Sequence, residues 1–491
     1  MLTSRCSLLT RPSAVVASLL LASCAAVPDL GPKPGLRAPE TIQAGISLPG
    51  TAAAWPSDKW WIGYGDPQLT TLIEEGLRSS PDVAAAAARF RRATGLAQQA
   101  GAALLPTIDV QGQASLDKQS YNQGFPKEFV PKGWLDTGHA AIDLSFDLDL
   151  WGRNRAALAA ATSDAQAAAV DSQQARMMLT TSIADAYADL ARLYAERDIQ
   201  QRAIDIRTAT LRLVTDRVNN GLDTRGDLRE AESSVSTARA DLAAADEAVA
   251  LRKNQIAALL GAGPDRGLAI ARPAISALAP RGLPGDVTTD LVGRRPDIAA
   301  ARARAESAAS RIKVARAEFF PAIRLGALIG VQSLGLGKLV SPDSTYGSIG
   351  PAISLPIFHG GALSGQYRGA RATYDEAVAN YDKAVVQAYQ EVADAVTSAR
   401  MLGRRLQDSR SALAASEEAY VIAGLRYRGG LSTYLDVLTV EERLLRARQS
   451  VAELEARAFT LDIALIRALG GGFSAGNSAS TSASTKDVPN G

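Results

Sequence analysis

The 491-residue chain has little of what a fixed chemical centre requires. It holds two histidines (His139 and His359) and two cysteines (Cys6 and Cys24), too few for a structural zinc site or a disulfide framework. No charge excess exists either: 53 Lys and Arg stand against 51 Asp and Glu, so there is no basic field of the kind that captures nucleic acid. Aromatic residues make up only 5% of the chain, and the recurring Ala-rich stretches favour long helices packed at short range over a bulky aromatic core. Catalytic motifs dissolve on inspection. The His359-Gly360-Gly361-Ala362 segment lacks the G-x-S-x-G elbow of an esterase, and the glycines around Gly261-Ala262-Gly263 lack the preceding strand and spacing of a dinucleotide loop. The expectation is a protein that is not an enzyme and takes no cofactor, metal or nucleic acid.

The N-terminus is informative. Residues 1–23 contain Arg5 and Arg11, no acidic residue, and an apolar or small run from Ser13 to Ala22. That layout is a secretory leader, and the run is too short to span a bilayer. It ends in Leu21-Ala22-Ser23-Cys24, which resembles a bacterial lipobox, with Cys24 becoming the first mature residue and carrying the lipid. The resemblance implies that Ala25, where an Asp would retain the protein elsewhere, permits sorting to the outer membrane. Cys24 is then the only mature cysteine, and the mature chain carries equal numbers of each charge.

Self-comparison shows a duplication, which fixes architecture before any local pattern does. Residues 80–113 align without gaps to 295–328, placing Pro81 on Pro296, Asp82 on Asp297, Arg89 on Arg304 and Pro106 on Pro321. Residues 217–228 align likewise to 426–437, placing Arg217 on Arg426, Gly221 on Gly430, Leu222 on Leu431, Thr224 on Thr433 and Asp227 on Asp436. Each copy reads as helix, strand, strand, long helix, tight turn, long helix. From Ile142 to Leu150 apolar residues alternate with Asp143, Ser145, Asp147 and Asp149, and Thr107–Leu116 alternates in the same way. The second copy alternates at Ile323, Leu325, Ala327, Ile329 and Val331, then at Ile353, Leu355 and Ile357. Four such segments match tilted transmembrane β-strands in length and period.

From Arg153 to Asn220 there is no Gly or Pro, enough for a helical rod of roughly 100 Å. Beyond the turn Leu228, Val235, Leu242, Val249 and Ile256 recur every seventh residue with Ala231, Ala238 and Ala245 between them, and Val437, Leu444, Val451, Ala458 and Leu465 repeat the register. Such heptads predict coiled-coil contacts. Four strands cannot close a membrane sheet, since barrels start at about eight and eight leave little lumen. Three chains give twelve strands and an open bore, so a homotrimer is expected.

The duplicated Pro-Asp…Pro block, the segment 60–77 (WWIGYGDPQLTTLIEEGL), the segment 149–158 (DLWGRNRAAL) and its counterpart 356–370 (PIFHGGALSGQYRGA) together resemble the TolC-like outer-membrane factor family. The lipobox points within it to the NodT/OprM type of efflux lipoprotein. The resemblance implies a mainly α fold with a transmembrane β-barrel: two repeats per chain, and in the trimer a twelve-stranded β-barrel over a twelve-helix α-barrel. The expected partition is leader 1–23, a segment 24–56 after the anchor, repeats 57–270 and 271–470, and a disordered tail 471–491. It further implies an outer-membrane exit duct that passively conducts drugs or other small molecules, working with a periplasmic adaptor and an inner-membrane transporter of RND type. A lipid-anchored periplasmic coiled-coil scaffold and a duct for exported protein remain alternatives.

The resemblance also assigns site residues. The turns carrying Gly221, Leu222 and Thr224, and Gly430, Leu431 and Thr433, become the periplasmic tips that meet the adaptor. Asp436 occupies the position of a family carboxylate ring, while Thr439 stands where a second acid occurs in relatives. Tyr427 matches a tyrosine that bonds the carboxylate at the Asp227 position, and Ser432 replaces a linking Arg. The anchor is directly testable: Cys24→Ala abolishes incorporation of labelled fatty acid while leaving oligomerisation intact, and persistent acyl labelling of the variant refutes the lipobox assignment.

Overall fold

A computed structural model describes residues 27–38, 41–49, 53–122, 124, 126–274 and 281–474. The leader, Cys24 and residues 475–491 lie outside these. In chain order the elements are a 3-10 turn at Trp60–Tyr64, α1 (Pro67–Ser79), α2 (Pro81–Ala102), β1 (Thr107–Asp117), β2 (Leu135–Asp147), α3 (Arg153–Asn219), α4 (Arg225–Leu259), α5 (Pro264–Leu268), α6 (Val287–Arg294), α7 (Pro296–Ala317), β3 (Ala322–Leu334), β4 (Thr345–Ser354), α8 (Ala362–Arg428) and α9 (Tyr434–Ala468). The two copies are visible as matched pairs: α2 with α7, both 22 residues, α3 with α8, both 67, and α4 with α9, both 35. Among the described residues no helix is long and apolar enough to cross a membrane.

Two compact units divide the chain, and each repeat contributes to both. The first, Met1–Leu36, Phe90–Ala167 and Ala301–Asn380, contains a four-stranded antiparallel sheet in the order β1-β2-β3-β4. Its registers pair Val110 with Ile142, Ile142 with Ile329, and Ala327 with Ile349, so alternate residues of all four strands build one apolar face. That face is bare, with Val110 77% and Ile349 80% exposed. The opposite face aligns Gln113, His139 and Gln332 across three strands and brings Asp147 opposite Arg324.

Both ends of β2 and of β4 differ from the sequence pattern, and β2 already begins at Leu135, well before Ile142. β2 ends at Asp147, so Leu148, Asp149 and Leu150 are not strand residues. Asp149 adopts φ 42° and accepts the Asn154 and Arg155 N–H groups at 2.9 and 3.0 Å, which satisfies free donors at the start of α3. β4 spans Thr345–Ser354, earlier than Ile353–Ile357, because Gly347, Gly350 and Pro351 interrupt the apolar alternation. Pro351 is tolerated because β4 is an edge of this sheet. Where the strands meet the helices, Trp151 stacks on Phe320 at 4.7 Å between ring centroids and donates to the Pro321 carbonyl at 2.8 Å.

The second unit, Arg37–Arg89, Ala168–Ala300 and Tyr381–Gly491, concentrates the scarce aromatics in one core. Trp60, Trp61, Tyr64 and Phe459 pack with Leu69, Ile73, Ile183, Tyr187, Ile256 and Ile463, and Tyr64 and Phe459 meet edge to face at 4.4 Å. Asp66 caps α1 through the Gln68 and Leu69 N–H groups at 2.8 and 3.3 Å and also accepts the Tyr187 hydroxyl at 2.7 Å. Of the heptad positions, Val235, Val249, Ile256, Val437, Leu444, Val451 and Leu465 are buried. Of the expected tail, Gly471 and Gly472 pack against Met177 and Ser57.

Within the sheet, β2 and β3 approach closely at Gly330, where an added Cβ would lie 2.5 Å from the Ala140 carbonyl oxygen and 2.8 Å from the Ala141 Cβ. Gly326, on the same face of β3, has nothing within 4 Å of that position. Gly330→Val therefore destabilises the protein by about 1–3 kcal/mol, while Gly326→Val is near neutral. Thermal unfolding followed by circular dichroism checks the contrast, and equal effects at both glycines would refute the close approach.

Candidate functional site

Both helical hairpins of the second unit end in the same turn for the same reasons. The Leu222 N–H reaches back to the Arg217 carbonyl at 2.8 Å and the Gly221 N–H to Val218 at 3.0 Å; Leu431 and Gly430 repeat this to Arg426 and Tyr427. This is the Schellman closure of a helix C-terminus, which needs a left-handed residue just past the end. Gly221 and Gly430 supply it at φ 73° and 72°. Nothing lies within 4 Å of an added Cβ at either, so conformation and not crowding demands glycine.

The next helix then starts with a capping box. The Thr224 N–H donates to Asp227 Oδ2 at 2.9 Å and the Asp227 N–H donates to Thr224 Oγ1 at 3.2 Å. Thr433 and Asp436 do the same at 2.9 and 3.4 Å. The bonds donated by the Thr433 backbone and hydroxyl hold the exposed Asp436 carboxyl below its usual range, and all use Oδ2. Leu222 and Leu431 project from the two turns, 64% and 72% exposed.

The two hairpins are tied to each other by a cluster that differs from the sequence expectation. Tyr427 does not bond Asp227; its hydroxyl donates to Asp223 Oδ2. Asp227 is turned toward its own Thr224 by the capping box, whereas Asp223, in the turn itself, faces α8. Arg217 completes the cluster, donating bidentately to Asp223 at 2.9 and 3.1 Å and to the Tyr427 carbonyl at 3.2 Å. Its guanidinium lies 4.7 Å from the centre of the Tyr427 ring, within cation–π range. Tyr427 is buried against Val214, Ala231, Tyr434 and Val437. Burial raises the Asp223 carboxyl, but the bonds from Arg217 and Tyr427 outweigh it and leave the group below the usual carboxylate range. Burial, then the bond to Asp223, pushes the Tyr427 phenol far up.

Deeper along the helices a second tie joins the copies. Arg207 of α3 donates to Glu441 of α9 at 2.8 Å and to the Ser234 carbonyl at 3.2 Å, with Glu441 only 1% exposed. Burial raises the Glu441 carboxyl, and Arg207 opposes the rise.

Sequence reasoning missed Arg217, Asp223, Arg207 and Glu441. The signal available for the first two was broken symmetry: Tyr427 aligns with Val218 and Asp223 with Ser432, so each copy carries one half of a cross-repeat bond. Among the described residues no group of three His, Cys, Asp or Glu could hold a metal ion. The cluster ties the turn of one hairpin to the helix end of the other.

A duplicated strand pair and helical hairpin with latched tips define the TolC-like channel fold. The chain matches the outer membrane protein VceC of Vibrio cholerae with a TM-score of 0.81 and 45% identity, over 86% of this chain and 100% of that one, and the outer-membrane channel OprN with a TM-score of 0.80 and 27% identity, over 91% and 99%. Residues 72–262 and 288–471 match the model of the outer membrane efflux protein family, and the chain belongs to that family. The pyoverdine export outer membrane protein OpmQ of Pseudomonas putida is 30% identical over 93% of this chain and 96% of its own length. The fusaric acid resistance protein FusA of Burkholderia cepacia is 34% identical over 72% of this chain and 68% of its own.

The latch has a measurable signature. Tyr427→Phe removes one bond to a charged acceptor, about 1.5–3 kcal/mol per chain, and Asp223→Asn weakens both that bond and the Arg217 pair. Each raises the open probability in planar bilayers, the second more. The sign with pH follows from a depressed carboxyl: the Asp223 contribution is complete above about pH 4 and is lost as pH falls through its lower folded value. Where the latch holds the tip closed, acidification opens the channel only below about pH 4, and Asp223→Asn removes that dependence. Unchanged opening in both variants would refute the latch.

Proposed function

We propose that three copies close their sheets edge to edge into a barrel in the outer membrane, anchored also by acylated Cys24, and act as the exit duct of a tripartite efflux pump. The carrying observation is the two-faced sheet: an exposed apolar row on one side and aligned Gln, His, Asp and Arg residues on the other, with β1 and β4 as open edges. Hydrocarbon tolerates such a sheet only when it is closed, and a polar face enclosed by closure lines a water-filled bore. The scaffold reading has no use for an apolar row as exposed as Val110, Ile329 and Ile349 are.

In this reading repeats 57–270 and 271–470 are the units of duplication, and Gly221, Leu222, Thr224, Gly430, Leu431 and Thr433 form the tips that dock a periplasmic adaptor leading to an inner-membrane transporter of RND type. The cargo is small molecules, in keeping with relatives named for pyoverdine export and fusaric acid resistance. Asp436 and Tyr427, the latter through Asp223 in place of Asp227, belong to the gate: Asp436 caps its helix through one oxygen, and three copies around a threefold axis present a ring of carboxylates, a device for cation preference.

The detergent-solubilised chain is expected to behave as three copies and to form cation-selective pores once the tips loosen. Asp436→Asn lowers cation selectivity and weakens block by trivalent cations without raising the open fraction. A monodisperse soluble monomer in the absence of detergent would overturn the duct, and unaltered selectivity and block in Asp436→Asn would overturn the ring.

A further inference from the structure

The two distal connections of the sheet, at the strand ends away from the helices, go to opposite faces. The β1–β2 connection, residues 118–134, brings Gln119, Pro131 and Gly133 to a cavity of about 440 Å³ together with Gln113, Thr137 and His139 of the polar face. The β3–β4 connection, residues 335–344, turns the other way. Gly335 adopts φ 95° and its N–H donates to the Asp136 carbonyl at 2.6 Å, while the Leu336 N–H donates to Asp136 Oδ2 at 2.7 Å. Asp136 lies opposite Leu116, on the side of the apolar row. A Cβ added to Gly138 would lie 2.6 Å from Leu336 Cδ2 and 3.4 Å from Leu339 Cδ2, so both leucines cover Gly138 on the apolar face. The turn leaves Val340 90% and Leu336 43% exposed, and Lys338 is exposed between them.

We infer that residues 335–344 form an interfacial anchor, folded back along the outer wall so that Leu336, Leu339 and Val340 enter the acyl-chain boundary of the outer leaflet. Three facts on the page select lipid as the occupant. The patch is continuous with the apolar row through Leu116, Ala140 and Val331. Gly138 belongs to β2, an interior strand, so a neighbouring chain pairing at β1 or β4 does not reach it by sheet extension. The turn also satisfies its own backbone, with Lys338 donating to Gly335, Leu339 to Leu336, Ser341 to Lys338 and Ser344 to Ser341, and the Ser344 hydroxyl closing onto the Lys338 carbonyl at 2.7 Å. Irregular backbone is excluded from the hydrocarbon centre, but a turn closed in this way suits the boundary, about 5–10 Å into the leaflet, with the Lys338 ammonium reaching phosphate. One connection shapes the mouth and the other holds the wall at its depth.

The inference rests on the outer-membrane reading, and the test separates the two. An environment-sensitive dye is placed on Val340→Cys, on Ile349→Cys in the apolar row and on Phe129→Cys in the β1–β2 connection, each in the full chain carrying Cys6→Ser and Cys24→Ala. The proteins are reconstituted in phosphatidylethanolamine and phosphatidylglycerol vesicles with brominated acyl chains. Bromolipid is expected to quench most of the emission at 340 and 349 and little at 129. Adding Gly138→Leu, which displaces the leucines, abolishes quenching at 340 and spares 349. Quenching at 349 with none at 340 overturns the anchor while the barrel stands, and this includes a dye at 340 shielded by a neighbouring chain. Absence of quenching at both positions overturns the membrane reading itself, and the anchor with it.

Discussion

Backbone hydrogen bonding at the edges of a four-stranded sheet sets the terms for the remainder of the molecule. Each unpaired N–H or C=O in hydrocarbon costs several kcal/mol, and β1 and β4 each present a row of them. A single chain with so large a bare apolar face is therefore not a finished object, since in water the face is exposed and in lipid the edges are. Closure with further copies resolves both demands at once.

The duplication makes the two hairpins nearly equivalent, and function enters where equivalence fails. Gly221 and Gly430, Thr224 and Thr433, and Asp227 and Asp436 perform identical local duties, ending one helix and starting the next. Asp223 and Tyr427 have no such counterparts, since Ser432 and Val218 stand at the equivalent positions. A bond between Asp223 and Tyr427 can form only between unlike hairpins, so it specifies which helix ends associate. Arg207 makes the same distinction further in, since Ser416 stands at its equivalent position, whereas Glu441 has Glu232 as its counterpart.

Much of this was legible in sequence. Helix limits followed from the absence of Gly and Pro between Arg153 and Asn220, and the structure ends α3 at Asn219. The strands were legible wherever alternation was clean, and illegible where glycines and Pro351 took the place of apolar residues in β4 or where Asp149 continued the β2 alternation while serving as a cap. The gate was harder for a physical reason. A carboxylate has the same identity whether it caps its own helix or bonds a neighbour, and only the turn geometry, which aims Asp227 inward along its helix and Asp223 outward across to α8, separates the two. The resemblance implied that Tyr427 bonds Asp227, whereas its hydroxyl bonds Asp223 in the turn itself.

Relative burial orders the two ties. Asp223 and Arg217 sit at the end of the hairpins, with side chains 10% and 14% exposed, where water reaches both as soon as the turn shifts. Glu441 is sealed at 1%, and separating it from Arg207 would strand a carboxylate in a poorly hydrated site, a loss of roughly 3–5 kcal/mol against about 1.5–3 kcal/mol for the hydroxyl bond at the tip. A splaying motion that stops short of Arg207 therefore meets the smaller barrier. Such a motion would leave the deeper pair holding the helices in register and would be confined to the turn and the helical residues between Arg207 and Gly221 on one side and between Gly430 and Glu441 on the other.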